Sequence, residues 1–555
     1  MKKLHLFLII FVFLLANTSL AQTIIVNSED WRDVYSAMLY GSLEGIPTNF
    51  LVSARHGTLI LNAIQKATPI RAFSSRRYPF LIGYESILES RGYSAEEFVY
   101  DNFNLELAEL LDISNFIIID DSYGYNAISV APYAVASESF VLFADRTNIR
   151  QVDSFLSGRV VNNIIIYGHV DREVRNTLQK YNPEVINKDG DRFYNNIEIV
   201  KKYQEIKHSK QAVLTNGEFI EKEIMSGVEP VLFIGTNNVP DSIREYIQGS
   251  EIDIGVLIGN ELVGTATYIR RNVGISVFVK FAQGAREPAG AISQVEALDM
   301  FYLPTYILNI EVESIKYNKA TNMLEISIRN TEDQAVYFKG TYSLTDSAGF
   351  TQRVGDISPI FLDGNELKTI TYEVEPMAEG KIIGEVYIIY GESKGSMEKV
   401  IDITFEIETV EILDECDIKI NSLVYDKRGK RFYVEIENVA DVICYADVEL
   451  VDVLLDGELK NLGSVDIVEI KPGKKAKSRI KAALEEEDIE DNEIIKGKVH
   501  YGERKNALIK IKEFQFELVL KGIDYWTFTL ILIIIILLIL IYLKRRKKKK
   551  EEGKS

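Results

Sequence analysis

Cysteine is nearly absent. The 555 residues hold two, Cys416 and Cys444, too few for a disulfide-scaffolded fold or a thiolate metal cluster. Histidine is scarce too: beyond residue 21 there are only His56, His169, His208 and His500, at separations that match no short zinc spacing. No Gly-x-Ser-x-Gly elbow, Walker loop or Gly-x-Gly-x-x-Gly is present, and Gly255, Gly259 and Gly264 have the wrong spacing for a dinucleotide loop. No metal and no cofactor is therefore expected, no catalytic set is legible, and the chain reads as a non-enzyme. No Asn-X-Ser/Thr acceptor occurs beyond residue 21, so N-glycosylation is not indicated. Positive charge is lacking in the body of the chain: residues 22–543 carry 53 bases against 80 acids. Such a body repels nucleic acid, which is set aside as a partner.

The length suggests three or four domains, and both ends of the chain have a distinct character. Lys2 and Lys3, the apolar run 4–15 and Ser19-Leu20-Ala21 follow the order of a secretory signal, 1–21. Residues 525–543 run without charge from Tyr525 and Trp526 to Leu543, about the length needed to cross a bilayer. The basic tail 544–555 follows, on the side that stays cytoplasmic. The expectation is a single-pass type I membrane protein, its large N-terminal region extracellular, held to the membrane through 525–543.

An internal repeat occupies 305–520. Val312-Glu-Ser-Ile-Lys-Tyr-Asn-Lys319 aligns with Ile420-Asn-Ser-Leu-Val-Tyr-Asp-Lys427 at an offset of 108, and Leu324, Ile326, Ile328 and Asn330 align with Phe432, Val434, Ile436 and Asn438. Tyr390-Gly391-Glu392 matches Tyr501-Gly502-Glu503. Alternating apolar and polar residues over about 100 residues per copy predict two β-sandwiches, 305–411 and 412–520, similar to immunoglobulin-like domains and suited to a stalk. At the same offset Cys416 faces Leu308 and Cys444 faces Val336, so both cysteines point inward. Either they form a disulfide, which would stabilise the domain by about 3.5 kcal/mol on the chain-entropy model, or they remain two buried thiols.

Residues 22–304 change character. Phe116-Ile-Ile-Ile119 and Ile164-Ile-Ile166 are continuous apolar runs, as in a parallel sheet covered on both faces. Helical stretches alternate with them, for example 171–181, where Asp171 is placed to cap and Val174 and Leu178 share a face. The region divides into three units, 22–112, 113–208 and 209–304. Asn126-Ala-Ile-Ser-Val-Ala-Pro-Tyr-Ala134, Ile164-Ile-Ile-Tyr-Gly168 and Gly190-Asp191-Arg192-Phe193 in the second unit resemble motifs of the cell wall-binding repeat 2 family. In the first unit Asn27-Ser-Glu-Asp-Trp-Arg-Asp33, Gly45-Ile-Pro-Thr-Asn-Phe-Leu-Val52 and Asp101-Asn102-Phe103 do the same. In the third, Leu214-Thr-Asn-Gly-Glu-Phe219 and Gly227-Val-Glu-Pro-Val-Leu-Phe-Ile234 are recognisable.

The resemblance implies three Rossmann-like modules about a pseudo-threefold axis that hold envelope proteins to an anionic wall polymer. The family's Ile-Leu-Leu segment falls on Phe50, Leu51 and Val52; Val141, Leu142 and Phe143; and Leu232, Phe233 and Ile234, which also suit buried strands. An anionic polymer would need local bases, with Arg55, Arg76, Arg77, Arg146, Arg150, Arg270 and Arg271 as candidates; scattered surface arginines are the alternative. Arg192 is either a ligand contact or, with Asp191, a structural ion pair or cap. Asp120 and Asp121 end a parallel strand, where open α/β sheets place ligands, and either bind a cation there or cap a loop; Tyr123 and Tyr125 beside them either stack on sugar or pack on the surface. The full expectation is a multidomain chain: three α/β modules, two all-β sandwiches and one transmembrane helix. Its role is non-enzymatic, with a cell-envelope glycopolymer, glycan or surface-layer protein as partner. The alternatives are a receptor or assembly subunit of a membrane complex, or a wall-polymer hydrolase using Asp120 or Asp121.

Overall fold

The computed structural model describes residues 22–188, 190–259, 262–280 and 300–521, together with Ile539 and Ile541. The chain divides into two compact units, Met1–Ile412 and Leu413–Ser555. The first holds the α/β region and one sandwich; the second holds the other sandwich.

The α/β region is one topology used three times. The first sheet contains β1 (Thr23–Asn27), β2 (Thr48–Phe50), β3 (Ile70–Ser75) and β4 (Ala95–Tyr100) in the order β2-β1-β3-β4. The second contains β5 (Asn115–Ile119), β6 (Ser139–Phe143), β7 (Asn163–Tyr167) and β8 (Glu184–Ile186) in the order β6-β5-β7-β8. In the third, β9 (Gln211–Thr215), β11 (Val231–Phe233), β12 (Ile254–Ile258) and β13 (Ser276–Lys280) lie in the order β11-β9-β12-β13, after a short excursion, β10 (Phe219–Ile220), that pairs with β14 (Phe301–Tyr302). Every pair within the three sheets is parallel. The sequence accounts for this: Phe116, Ile117, Ile118 and Ile119 are all buried, as a strand covered by helices on both faces requires. In each sheet the first strand sends the chain to one side and then to the other, which opens a crevice at its carboxyl end.

The three units are joined by a repeated device. On the helix Phe103–Leu110, Asn104 donates to the Ser36 hydroxyl (3.0 Å) and to the Val141 carbonyl (2.8 Å), and its Oδ1 accepts from the Phe143 amide (3.2 Å). On the helix Arg192–Ile206, Asn196 repeats all three bonds with Ser129 (2.8 Å), Val231 (2.9 Å) and Phe233 (2.9 Å). In each case a buried amide satisfies the outward edge of the next unit's sheet, which would otherwise leave polar backbone buried and unpaired. Phe143 and Phe233, at family-motif positions, are thus buried edge-strand residues, as is Phe50 in β2.

In the first sandwich the strand Ile310–Asn318 pairs antiparallel with Met323–Asn330 and, over Lys316 to Asn318, parallel with the last strand, Met397–Val410. The strand Val336–Thr345 alternates strictly between buried and half-buried residues, with one face in the core. The second sandwich repeats the plan: Ile418–Asp426 pairs with Arg431–Asn438, and Val424 and Tyr425 pair parallel with Val519 and Leu520. A bulge recurs 108 residues apart, between Val312 and Ser314 and between Ile420 and Ser422. Cys416 and Cys444 are joined as a disulfide, with Cα atoms 5.5 Å apart.

Two expectations are corrected. Among the described residues no helix is long and apolar enough to cross a membrane. Spanning a bilayer takes a helix of about 20 residues, and the longest described helix, Arg192–Ile206, has 15. The expected transmembrane helix, and the single-pass membrane placement that rested on it, are therefore corrected: the described residues carry neither. Of 525–543 only Ile539 and Ile541 are among the described residues, and the signal (1–21) and tail (544–555) calls lie outside them.

Candidate functional site

Two of the three crevices carry the chemistry. At the first, Asn27 ends β1 and spends its amide on internal bonds, donating to Ser74 Oγ (2.9 Å) and the Leu81 carbonyl (2.7 Å) and accepting from the Leu81 amide (3.0 Å). Ser28 donates to Asp33 Oδ2 (2.7 Å), and Asp30 caps the helix Trp31–Glu44 by accepting from the Arg32 amide (2.9 Å). Burial pushes the Asp33 carboxyl up to about 6, with the Ser28 hydroxyl opposing. Arg32 forks between two carboxylates, reaching Asp30 with Nη2 and Asp121 of the second unit with Nη1, both at 2.6 Å. These pairs hold the guanidinium charged; the Asp30 hydrogen bond acts most strongly and burial opposes it. Beside this network lies a groove of about 660 Å³, lined by residues 29–32, Tyr78 and residues 301–304. Tyr78 and Tyr302 stand 54% and 63% exposed at its margins.

The second crevice is filled by the protein itself. The Gly124 amide donates to the Pro304 carbonyl (3.1 Å), and Leu303 lies so close to Gly124 that any Cβ there would collide with it. Tyr306 meets Tyr123 (5.2 Å between centroids) and Tyr125 (5.3 Å) edge-on. The Arg192 guanidinium stacks 4.0 Å from the centroid of Tyr125, with its Nε 3.5 Å from Glu392 and its Nη2 bonded to Glu398. Burial pushes Tyr125 up to about 12, with Arg192 opposing. It pushes Glu392 up as well, again against the pull of Arg192. Asp191 caps its helix through the amides of Phe193 (2.8 Å) and Tyr194 (3.1 Å), while its other oxygen accepts from the hydroxyls of Ser393 and Ser396 (2.6 Å for Ser396).

Of the residues singled out in the sequence, the structure brings Tyr123 and Arg192 together around Tyr306, while Asp121 pairs with Arg32. Asp120 caps the loop by accepting from the Ser122 amide (2.8 Å). Arg55, Arg77, Arg146, Arg150, Arg270 and Arg271 are exposed and dispersed, and Arg76 forms an exposed pair with Asp101 (2.8 Å). Asp171 sits at the helix start, but its carboxylate accepts from the Arg146 amide (2.8 Å) and makes no cap bond. Sequence reasoning missed Arg32, Tyr306, Glu392, Glu398, Asn104 and Asn196. The Tyr-Gly-Glu repeat held a signal for Glu392; nothing local marks the others' partners, which lie up to 206 residues away.

No protein-family model matches the chain, and no curated protein does. Among solved structures, a transglutaminase of red sea bream overlaps 40% of this chain and 32% of its own, at 10% identity and a TM-score of 0.14. An Escherichia coli alpha-2-macroglobulin overlaps 40% and 23% at 11% identity and a TM-score of 0.14. The chaperone–tip adhesion subunit complex of Csu pili from Acinetobacter baumannii overlaps 39% of this chain and 100% of its own, at 9% identity and a TM-score of 0.14. The chain thus spans about a third and about a quarter of the first two proteins. Overlaps this slight transfer neither activity nor partner.

Proposed function

We propose that the chain is a non-enzymatic protein of the cell envelope whose α/β region binds a glycan, glycopolymer or surface-layer protein in the groove at the carboxyl end of the first sheet. The observation that carries this reading is the presence of exposed Tyr78 and Tyr302 in the lining of a groove whose Asp30 and Arg32 already engage one another. Asp30 and Asp121 are spent on Arg32, and Asp33 on Ser28. Such a lining supports stacking and hydrogen bonding to a bound chain, not bond-breaking. The cell wall-binding repeat 2 motifs support the same reading, and the Cys416–Cys444 bond suits an oxidising compartment outside the cytosol.

The test is retention of the whole chain on isolated envelope material. The double variant Tyr78→Ala/Tyr302→Ala is expected to weaken retention by roughly tenfold, the loss of two stacking contacts worth about 0.5–1.5 kcal/mol each. Unchanged retention overturns the groove as the binding surface. Capture of one stoichiometric protein in place of polymer would point instead to an assembly subunit.

A further inference from the structure

The first sandwich reaches into the α/β region with the turn 391–398 between its strands Ile382–Gly391 and Met397–Val410. We propose that this turn is a built-in ligand: the carboxylates of Glu392 and Glu398 occupy a carboxylate-binding pocket of the second α/β unit centred on Arg192, and so keep its crevice closed. The pocket is built from residues that follow the carboxyl ends of β5 (Tyr125) and β8 (Arg192), the end of a parallel sheet at which ligands bind. It has the parts of an acid-recognition site. A guanidinium whose side chain is 9% exposed is backed by Tyr125 and flanked by Tyr306, 5.5 Å away. Its Nε and Nη1 make no hydrogen bond of normal geometry, so the resident carboxylates use less than the full donor set.

The turn is fitted as a ligand is fitted. Asp191 holds the hydroxyls of Ser393 and Ser396, and Asn238 donates to the Met397 carbonyl (2.6 Å). Gly235 lets the Glu398 backbone approach so closely that a Cβ would strike the Glu398 carbonyl oxygen. The matching glutamate of the second sandwich, Glu503, accepts from the Glu415 amide in its own unit, so the repeat does not by itself require such a contact. Recognition of the acid side chain lies in the pocket.

Acetate replaces the group removed by Glu398→Ala and is the probe. Thermal unfolding of the full chain is followed in sodium acetate and in sodium chloride of equal ionic strength. The variant is expected to melt below the parent and to regain most of that loss in acetate but not in chloride, because a ligand that binds only the folded state raises its stability. Parent protein should respond to the two salts alike. Equal responses of the variant to acetate and chloride overturn the proposal. Should Glu398→Ala not fold, Glu398→Gln is read by amide exchange over 391–398: faster exchange there is expected, and parental protection overturns the proposal. Neither readout depends on what the groove of the first unit binds.

Discussion

The Tyr-Gly-Glu turns of the two sandwiches start from the same three residues and end on different partners. In the first, Glu392 meets Arg192 across 200 residues of chain, in a site shut off from solvent. In the second, Glu503 stays local: it accepts from the Glu415 amide, and its own amide donates to Asp414 (2.9 Å). The opening strand pairs of the two sandwiches are alike to the level of a shared bulge, whereas beside the turns the first sandwich has a register shift between Tyr390 and Gly391 that the second lacks. The repeat supplies a platform, and what the turn does is decided by whether an arginine waits opposite it. A buried charge pair is a poor source of net stability but a costly thing to break, so the first turn specifies a contact and the second merely closes a loop.

Arg192→Met separates the two turns most strongly. It strands two buried carboxyls and is expected to cost about 3–5 kcal/mol, read from the denaturant midpoint of the full chain. Glu503→Gln should cost under about 1 kcal/mol in the same measurement. Next in size is the difference between the two sandwich cores. Leu308 and Val336 stand, both buried, where the second copy has its disulfide. Cys416→Leu/Cys444→Val imports the first copy's solution and should lose about 3 kcal/mol of chain-entropy stabilisation; an unchanged unfolding transition for the second unit would show that apolar packing replaces the bond. Asn104→Ala and Asn196→Ala each leave a buried edge carbonyl and amide without partners and should cost about 2 kcal/mol apiece. Markedly unequal losses would mean that the two unit joints are not equivalent.

A further difference is read by pH. Burial makes Glu392 bind its proton more tightly folded than unfolded, where the ordinary carboxyl value is 4.5. Its contribution to stability is full below that value and is lost as pH rises above it. Asp33, raised to about 6, acts in the same direction. Glu392→Gln should flatten the decline above pH 4.5 in melting curves; a slope equal to the parent's would assign it elsewhere.

Much of the fold was legible because its causes are local. The run Phe116–Ile119 had to be a strand buried on both faces, and Val174 and Leu178 had to share a buried helix face; each is 0–1% exposed. The repeat at offset 108 announced the paired strands Ile310–Asn318 and Ile418–Asp426. The candidate site was far less legible. Arg192 and Tyr123 stood out, but Tyr306, Glu392 and Glu398 acquire meaning only when distant segments close over the second crevice. The motif alignment also placed the first unit's counterpart of Asp191-Arg192-Phe193 at Asp101-Asn102-Phe103, 90 residues earlier. The hydrogen bonds instead equate Asn196 with Asn104, 92 residues earlier, because the later helix starts about one turn sooner relative to its asparagine. Spacing on a helix preserves the face a residue occupies, not its distance from the cap.

The parallel rungs that tie the opening strand of each sandwich to its closing one also set how that domain meets tension. Lys316 to Asn318 lie beside Glu408 to Val410, and Val424 and Tyr425 beside Val519 and Leu520, with both strands of each pair running the same way. A pull on the two chain ends drags such neighbours past one another along their length. The bonds then share the load at once instead of parting one after another, as a hairpin pulled from its open end would. In a single-molecule extension experiment Thr409→Pro should lower the rupture force of the first sandwich and leave that of the second unaltered.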